Sequence, residues 1–279
     1  MKNLITRILS GSVYVAFIFT SIYLTKYSPA LFLVVFGLFT VVGIWEISRL
    51  NKEQGAVSPL ISLIDMIGGL AVFISFFIMY AGASSRSLWL LPILLYMVIR
   101  GIAQLYLPMV HAIHSLERSA MSICYVALPL ALLNSICAMM SPMMLLAIFI
   151  FIWINDSGAF VVGCSIGKHR LFERISPKKS WEGFWGGMLF CIGMAFVFYY
   201  CTGTTFGMLE LWQWIVLAVI VSAFATWGDL LESLIKRTAG VKDSSNLIPG
   251  HGGLLDRIDS LLMVAPASLI YFIILKLYC

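Results

Sequence analysis

Apolar runs of about 20 residues recur along the whole chain, and no other feature restricts its fold as strongly. A helix that crosses the hydrocarbon core of a bilayer needs about 20 predominantly apolar residues. Only helices and closed barrels satisfy all their backbone hydrogen bonds in that environment. Because the runs lack the strict alternation of barrel strands, the sequence predicts an all-α, polytopic membrane protein.

Composition excludes a soluble globular protein. The 279 residues are 61% hydrophobic and 11% charged, whereas about a quarter of the residues of a soluble domain are charged. The apolar runs leave no room for a separate soluble domain. They predict nine transmembrane helices, near residues 4–25, 29–49, 60–80, 87–107, 119–139, 143–163, 183–201, 211–231 and 259–277.

The positive charges predict the orientation of these spans. With the N-terminus in the cytoplasm, 15 of the 18 lysines and arginines lie on the inner side, and only Lys26, Arg86 and Lys276 lie outside. Such a bias is typical of cytoplasmic loops. Nine spans then place the C-terminus outside. We expect an integral membrane protein, of a bacterial inner membrane, whose chemistry faces the cytoplasm.

The polar residues are unevenly distributed between the two halves of the chain. Residues 1–140 are almost wholly apolar with short connections, whereas residues 141–279 carry nearly all the clustered polar residues. We therefore expect N-terminal scaffold helices over 1–140 and a C-terminal catalytic transmembrane half over 141–279.

The first polar cluster is NDSGAF, residues 155–160. Asp156 lies about 13 residues into its predicted span, about 20 Å from the outer end. A carboxylate at that depth is a candidate ligand, ion site or proton relay. The alternative is a structural ion pair with another helix.

The second cluster is SPKKSWEGFWGG, residues 176–187. Its hydroxyl and ammonium groups suit phosphate oxygens, and Ser180 is a candidate N-cap of the following span. The alternative is a basic loop that sets topology and touches anionic lipid. The candidate phosphate contacts are Ser176, Lys178, Lys179 and Ser180.

The third cluster runs from residue 227 to residue 260. Asp229 and Glu232 are three residues apart, as are Asp256 and Asp259, so each pair shares one helix face. Carboxylates at the ends of neighbouring spans suit Mg²⁺, which prefers one or two carboxylates together with substrate phosphates. The turn PGHGG offers backbone amides to an anion, although a lone histidine such as His251 is more often structural.

Acids for a metal, cations for phosphates and glycine-rich turns thus all fall at the predicted inner interface. That combination indicates phosphoryl or nucleotidyl transfer to a lipid head group. The segment SLIKRTAGVKDSSNLIPGHGGLLDRID, residues 233–259, closely resembles the signature of the phosphatidate cytidylyltransferase (CDP-diacylglycerol synthase) family. Similarity to that family covers about residues 150–260. Phe160, where tyrosine is common in the family, and Ser180, where threonine is expected, depart from its pattern.

The resemblance implies that CTP and phosphatidic acid react to CDP-diacylglycerol and pyrophosphate with Mg²⁺, and with K⁺ as a second ion. It implies metal binding by Asp229 and Asp256. The expected catalytic residues are Asp229, Asp256, Lys236, Arg257 and Asp259. The expected substrate-binding residues are Ser176, Lys178, Lys179, Ser180, Ser233, Arg237, Lys242, His251, Gly252 and Gly253. The expected supporting residues are Asp156, Glu232 and Asp243.

Two other functions would use similar acidic and basic residues. A CTP-dependent lipid kinase would need a base for its alcohol substrate and would release CDP. An ion-coupled transporter would explain carboxylates within spans, but transporters usually carry internal repeats, and none is evident by eye. The expected partners are CTP, phosphatidic acid and membrane lipid, with no nucleic acid and with a homodimer as an option.

Overall fold

The structure is a computed structural model that describes residues 2–50, 58–80, 88–106, 112–201, 205–206, 209–248 and 252–278, with side chains from residue 10 onward. Its elements are almost all helical. In chain order they are α1 (Lys2–Leu24), α2 (Ala30–Leu50), α3 (Pro59–Tyr80), α4 (Leu91–Leu105), α5 (Ala112–Met121), α6 (Leu128–Met139), α7 (Pro142–Ile166), β1 (Arg170–Phe172), β2 (Ser176–Ser180), α8 (Trp181–Cys201), α9 (Leu211–Thr238) and α10 (Leu255–Tyr278).

The predicted polytopic helical membrane protein is confirmed. Among the described residues, eight helices are long and apolar enough to cross a membrane, and α1 contributes a shorter apolar stretch over Ser10–Leu24. A π-helical turn over Ser122–Ala127 joins α5 to α6, so this span runs continuously over Ala112–Met139. The seventh of these long helices, α9, extends seven residues beyond the predicted end at residue 231, so the acidic and basic residues 229–237 are helical.

The chain forms two compact units. Unit 1 contains residues 1–135 and 238–257, and unit 2 contains residues 136–237 and 258–279. Each unit combines segments that are distant in sequence. The functional division into a scaffold over 1–140 and a catalytic half over 141–279 stays a prediction.

Unit 1 contains a buried ion pair between α3 and α4. Asp65 and Arg100 are 3% and 4% exposed, and Arg100 Nε lies 3.5 Å from Asp65 Oδ1. Ser119 of α5 accepts a hydrogen bond from Arg100 Nε and donates one to Asp65 Oδ2, at 2.8 and 2.7 Å. Tyr96 donates a further hydrogen bond to Asp65. Because a buried charge is tolerated only when paired and hydrogen-bonded, this network holds three helices together.

In unit 2, glycines let α7 and α8 pack at close range. A Cβ on Gly183 would lie 2.9 Å from Ala159 O, and one on Gly187 would lie 2.6 Å from Asn155 Oδ1. Ser180 accepts a hydrogen bond from Gly183 N at 3.1 Å, so the predicted N-cap of α8 is confirmed.

Between α7 and α8 the chain forms a hairpin that the sequence did not predict. Strands β1 and β2 pair antiparallel and pass directly into α8. Two short strands are marginal by themselves, but His169 N donates to both carboxylate oxygens of Glu182 at 3.2 Å, and Trp181 N donates to His169 O at 2.9 Å. The first turn of α8 thereby holds the hairpin that carries Lys178 and Lys179.

A second close approach in unit 2 joins α9 to α10. A Cβ on Gly228 would lie 2.7 Å from Asp259 O and 3.0 Å from Ser260 Cα. Ser260 Oγ donates a hydrogen bond to Ala225 O at 3.1 Å. The glycine therefore brings the backbone beside Asp229 against that of Asp259.

We predict that Gly228→Ala lowers the thermal midpoint of the purified protein in detergent, because the added methyl group meets backbone atoms that cannot move aside. Gly193→Ala is the matched control, since a Cβ there meets nothing within 4 Å and alanine is favoured over glycine inside a helix by about 1 kcal/mol. Equal midpoints for the two variants would contradict the close packing of α9 and α10.

Candidate active site

Unit 2 contains a cleft of about 280 Å³ lined by residues from all three polar clusters of the sequence. Asp156 comes from α7, Lys178 and Lys179 come from β2, and Asp229 comes from α9. Small residues (Ala159, Gly163 and Gly183) and two phenylalanines (Phe160 and Phe184) line the wall formed by α7 and α8. Residues up to 74 positions apart in the sequence therefore meet around one space.

Three carboxylates converge beside this cleft. One carboxylate oxygen each from Asp229, Glu232 and Asp259 lies within 4.8 Å of the other two. Glu232 is fully buried, whereas Asp229 and Asp259 are partly exposed. Asp229 and Glu232 share one face of α9, and the close approach at Gly228 brings Asp259 of α10 to them.

Two lysines compensate part of this negative charge. Lys179 Nζ lies 2.7 Å from Asp229 Oδ2 and also donates to Thr226 O at 3.4 Å. Lys236 forms an ion pair with Glu232 one helical turn away. Ser233 Oγ donates to Asp229 Oδ1 at 3.3 Å. Three carboxylates facing two ammonium groups leave a formal excess of one negative charge.

This donor set fits a hard divalent cation. Carboxylate oxygens are the ligands that Mg²⁺ accepts, usually from one or two protein carboxylates with waters and substrate phosphates completing the shell. Asp229 and Asp259 are both partly exposed, and their carboxylate oxygens lie within 4.8 Å of each other. A metal ion held by these two carboxylates would therefore have an open side for a further ligand. The acidic cluster therefore lies next to lysines that the sequence predicts as phosphate contacts.

The part of the signature segment between α9 and α10 lies in unit 1, where Glu46 of α2 organises it. The Glu46 carboxylate is fully buried and accepts four hydrogen bonds. Its partners are Ser244 Oγ at 3.0 Å, Ser245 Oγ at 2.6 Å, Leu254 N at 2.9 Å and Leu255 N at 2.6 Å. The last two amides belong to the N-terminal end of α10, where a negative charge is favourable.

Asp256 caps the same turn. Its Oδ2 accepts hydrogen bonds from Ser244 N, Ser244 Oγ and Gly253 N at 3.1, 3.0 and 2.8 Å. Gly252 adopts a φ of +84°, which only glycine adopts readily. The loop therefore places Asp256 within unit 1, and its predicted role as a metal ligand stays a prediction.

The remaining predicted site residues are distributed along these elements. Ser176 is partly exposed on β2, and Arg237 is exposed in the last turn of α9. In unit 1, Lys242, Asp243 and Arg257 are exposed around the signature segment. His251 lies outside the described residues. Their predicted roles stay predictions.

Sequence reasoning missed two residues with a clear structural role. Glu46 is the only acid of its span, and nothing in its local sequence indicates partners about 200 positions away. Asn155 lies in the motif NDSGAF but is not among the predicted site residues, although its Oδ1 accepts a hydrogen bond from Ser222 at 2.6 Å and links α7 to α9 beside the cleft. A lone acid within an apolar run was the signal available for Glu46.

Comparisons with known proteins show the family of this chain. Residues 5–275 match the model of the cytidylyltransferase family. Over 134 residues, which make up 47% of this chain and 46% of the relative, the sequence is 47% identical to a phosphatidate cytidylyltransferase of Haemophilus influenzae. It is 42% identical over 125 residues to the Bacillus subtilis protein of that name, covering 45% of each. The chain thus spans about half the length of the curated relatives it matches.

We predict that Glu46→Gln destabilises the signature segment. The N–H₂ group of the new amide would replace one carboxylate oxygen and would face one of the two backbone N–H donors. Losing a buried hydrogen bond in this way costs about 1–3 kcal/mol. The thermal midpoint of the variant should fall by several degrees, and protease cleavage between α9 and α10 should become faster. Glu173→Gln, at an exposed position of the hairpin turn, serves as the matched control. A Glu46→Gln protein as stable and protease-resistant as this control would contradict the anchoring role.

Proposed function

The chain belongs to the cytidylyltransferase family, and we propose that it is a CTP:phosphatidate cytidylyltransferase that forms CDP-diacylglycerol and pyrophosphate. The observation that carries the proposal is the cleft of unit 2, which Lys178, Lys179 and Asp229 line together. Carboxylate oxygens of Glu232 and Asp259 lie within 4.8 Å of that of Asp229. The names of the curated relatives supply the substrates.

The chemistry follows from the charges of the substrates. The phosphate of phosphatidic acid is already an anion, so its oxygen needs no strong base before it attacks the α-phosphorus of CTP. The attack forms one P–O bond and breaks the bond to the β-phosphate, and pyrophosphate departs. The barrier lies in bringing two anions together in line, so positioning and charge neutralisation dominate.

The lysines of the hairpin are placed for the phosphates. Lys178 is exposed at the cleft, and Lys179 reaches it from the same strand. We assign them to phosphate oxygens of the nucleotide, together with the cap hydroxyl of Ser180. Lys236, through its ion pair with Glu232, keeps that buried carboxylate compensated.

Asp229 would hold Mg²⁺ with support from Asp259, and Asp256 is proposed as a second ligand. When bound, Mg²⁺ would neutralise phosphate charge and stabilise the departing pyrophosphate. Asp156 lines the same cleft and would orient the cations there. K⁺ as a second ion and a homodimer stay predictions from the sequence.

The membrane setting suits this reaction. Phosphatidic acid stays in the bilayer and CTP is an aqueous metabolite, so the site must lie at an interface. We propose that the N-terminus, the hairpin and the segment before α10 face the cytoplasm, as the distribution of positive charges predicts. The relatives named above are bacterial proteins, which supports the bacterial inner membrane as the proposed location of this chain.

The proposal is tested with purified protein, phosphatidic acid, Mg²⁺ and CTP labelled at either the α- or the γ-phosphate. We expect α-label in the lipid phase and γ-label in released pyrophosphate, both requiring phosphatidic acid. A lipid labelled only from the γ-phosphate, with CDP released, would establish a lipid kinase instead. Lipid labelled from neither position would contradict both activities and turn attention to ion transport.

We predict that Asp229→Asn lowers turnover by at least a hundredfold, because the amide oxygen is a weaker ligand for Mg²⁺ and leaves Lys179 without its partner. Glu210→Gln, at the loop end before α9, is the control for general effects of losing a carboxylate. The thermal midpoint of each variant is measured to confirm folding. Near-normal turnover in Asp229→Asn would contradict the assignment of Asp229 as a ligand of Mg²⁺.

A further inference from the structure

The cleft of unit 2 is lined by a buried polar residue that the proposed chemistry does not use. Asn155 of α7 lines the cleft although it is only 2% exposed. Its Oδ1 accepts a hydrogen bond from Ser222 Oγ of α9 at 2.6 Å. Gly187 of α8 packs so closely on the other side that an added Cβ would lie 2.6 Å from the same oxygen. Neighbouring helices therefore enclose the amide oxygen.

The amide nitrogen of Asn155 opens onto the cleft instead. Among the described residues, no group accepts a hydrogen bond from Nδ2, and protein atoms do not enclose this nitrogen completely. A buried donor without an acceptor is costly, and most such donors in proteins have a partner. This N–H₂ group is therefore a candidate contact for a molecule bound in the cleft.

Asn155 lies deeper in the span than the charged groups of the cleft. Lys179 contacts α9 at Thr226 O and at Asp229 Oδ2, at 3.4 and 2.7 Å. Asn155 contacts α9 at Ser222, which lies four residues before Thr226 and is therefore about 6 Å further from the hairpin along the helix axis. The cleft thus offers a cation at one level and a neutral donor about one helical turn deeper.

A neutral donor at this depth suits a neutral acceptor. A charged group further into the span would need a charged partner, whereas an amide needs only hydrogen bonds. Phe160 and Phe184 line the same cleft, and Phe160 is 71% exposed, so part of the cleft wall is apolar. These walls match a ligand that carries an anionic group, an uncharged oxygen and hydrocarbon.

Of the two proposed substrates, the phospholipid has these three parts. Its glycerol backbone places ester carbonyl groups between the phosphate and the acyl chains, at a distance from the phosphate comparable to one helical turn. The two reacting phosphates meet at the level of the lysines, so the ester groups of the lipid would lie near Asn155. CTP enters from water and offers no such neutral group beside hydrocarbon.

We propose that Asn155 Nδ2 donates a hydrogen bond to an ester carbonyl of phosphatidate and makes the site selective for ester-linked over ether-linked lipid. The proposal rests on the proposed function for the identity of the lipid. A dialkyl phosphatidate has no carbonyl groups, so it would leave the donor unpaired. Sites built to hydrogen-bond a substrate group reject the analogue that lacks this group.

The test compares dioctanoyl phosphatidate with its dioctyl ether analogue. Asn155→Ala removes the donor, and Asn155→Leu removes it while keeping the size of the side chain. Ser222→Ala is the matched control, because it breaks the same hydrogen bond between α7 and α9 but leaves the N–H₂ group. The ratio of the two KM values is measured within each protein, so that a general effect of a substitution cancels.

We expect the wild type to have a KM for the diacyl lipid about fivefold lower than for the dialkyl lipid, as one hydrogen bond between neutral groups provides. Ser222→Ala should keep this preference, and both Asn155 variants should lose it with an unchanged KM for CTP. A wild type without the preference, Asn155 variants that keep it, or an equal loss in Ser222→Ala would overturn the proposal. A rise in the KM for CTP alone would also overturn it, because the nucleotide would then contact Asn155.

Stabilisation by the ligand keeps the inference testable apart from turnover. The thermal midpoint of the full-length protein in detergent is measured with each lipid and without CTP, since a ligand that binds the folded state raises the midpoint. We expect a larger rise with the diacyl lipid in the wild type and equal rises in Asn155→Ala. That result in a protein that makes no CDP-lipid would refute the proposed function and leave the ester contact standing. Equal rises in the wild type would overturn the inference.

Discussion

The cost of placing charge in an apolar molecule is the constraint on which this structure depends. A charged group removed from water is tolerated only when other groups solvate it. Glu46 meets that condition with four donors, two of them backbone amides of a helix end. Asp65 meets it with an arginine, a serine and a tyrosine. In both cases a polar network inside unit 1 joins segments that apolar packing alone would leave free to slide.

The same constraint shapes the acidic cluster of unit 2. Glu232 is buried and paired with Lys236, whereas Asp229 is more exposed and paired with Lys179 from the hairpin. The two pairs therefore differ in how easily they open. The buried pair is a fixed part of α9, and the exposed pair can exchange its lysine for a cation and its carboxylate for a phosphate. Asp229 and Lys179 line the cleft, whereas Glu232 and Lys236 are not among the residues that line it.

The sequence predicted the spans because about 20 apolar residues in a row have few structural options. It also predicted that Asp229 and Glu232 share a helix face, which follows from local periodicity. It did not predict the hairpin, because strands of three and five residues leave too little pattern. The proximity of Asp259 to Asp229 depends on the tight contact at Gly228, and the partners of Glu46 lie about 200 residues away. Both depend on packing between residues that are distant in the sequence, and the local pattern of a single sequence does not indicate such contacts.

We propose that the carboxylates and lysines of unit 2 form one site for a metal-bound nucleotide. Calorimetric titration of CTP into the purified protein, with Mg²⁺ and with EDTA, tests it without any need for turnover. We expect saturable binding of CTP that requires Mg²⁺ in the wild type and is strongly weakened in Lys179→Met and in Asp259→Asn. Binding of equal affinity with and without Mg²⁺, or unchanged binding in both variants, would contradict it.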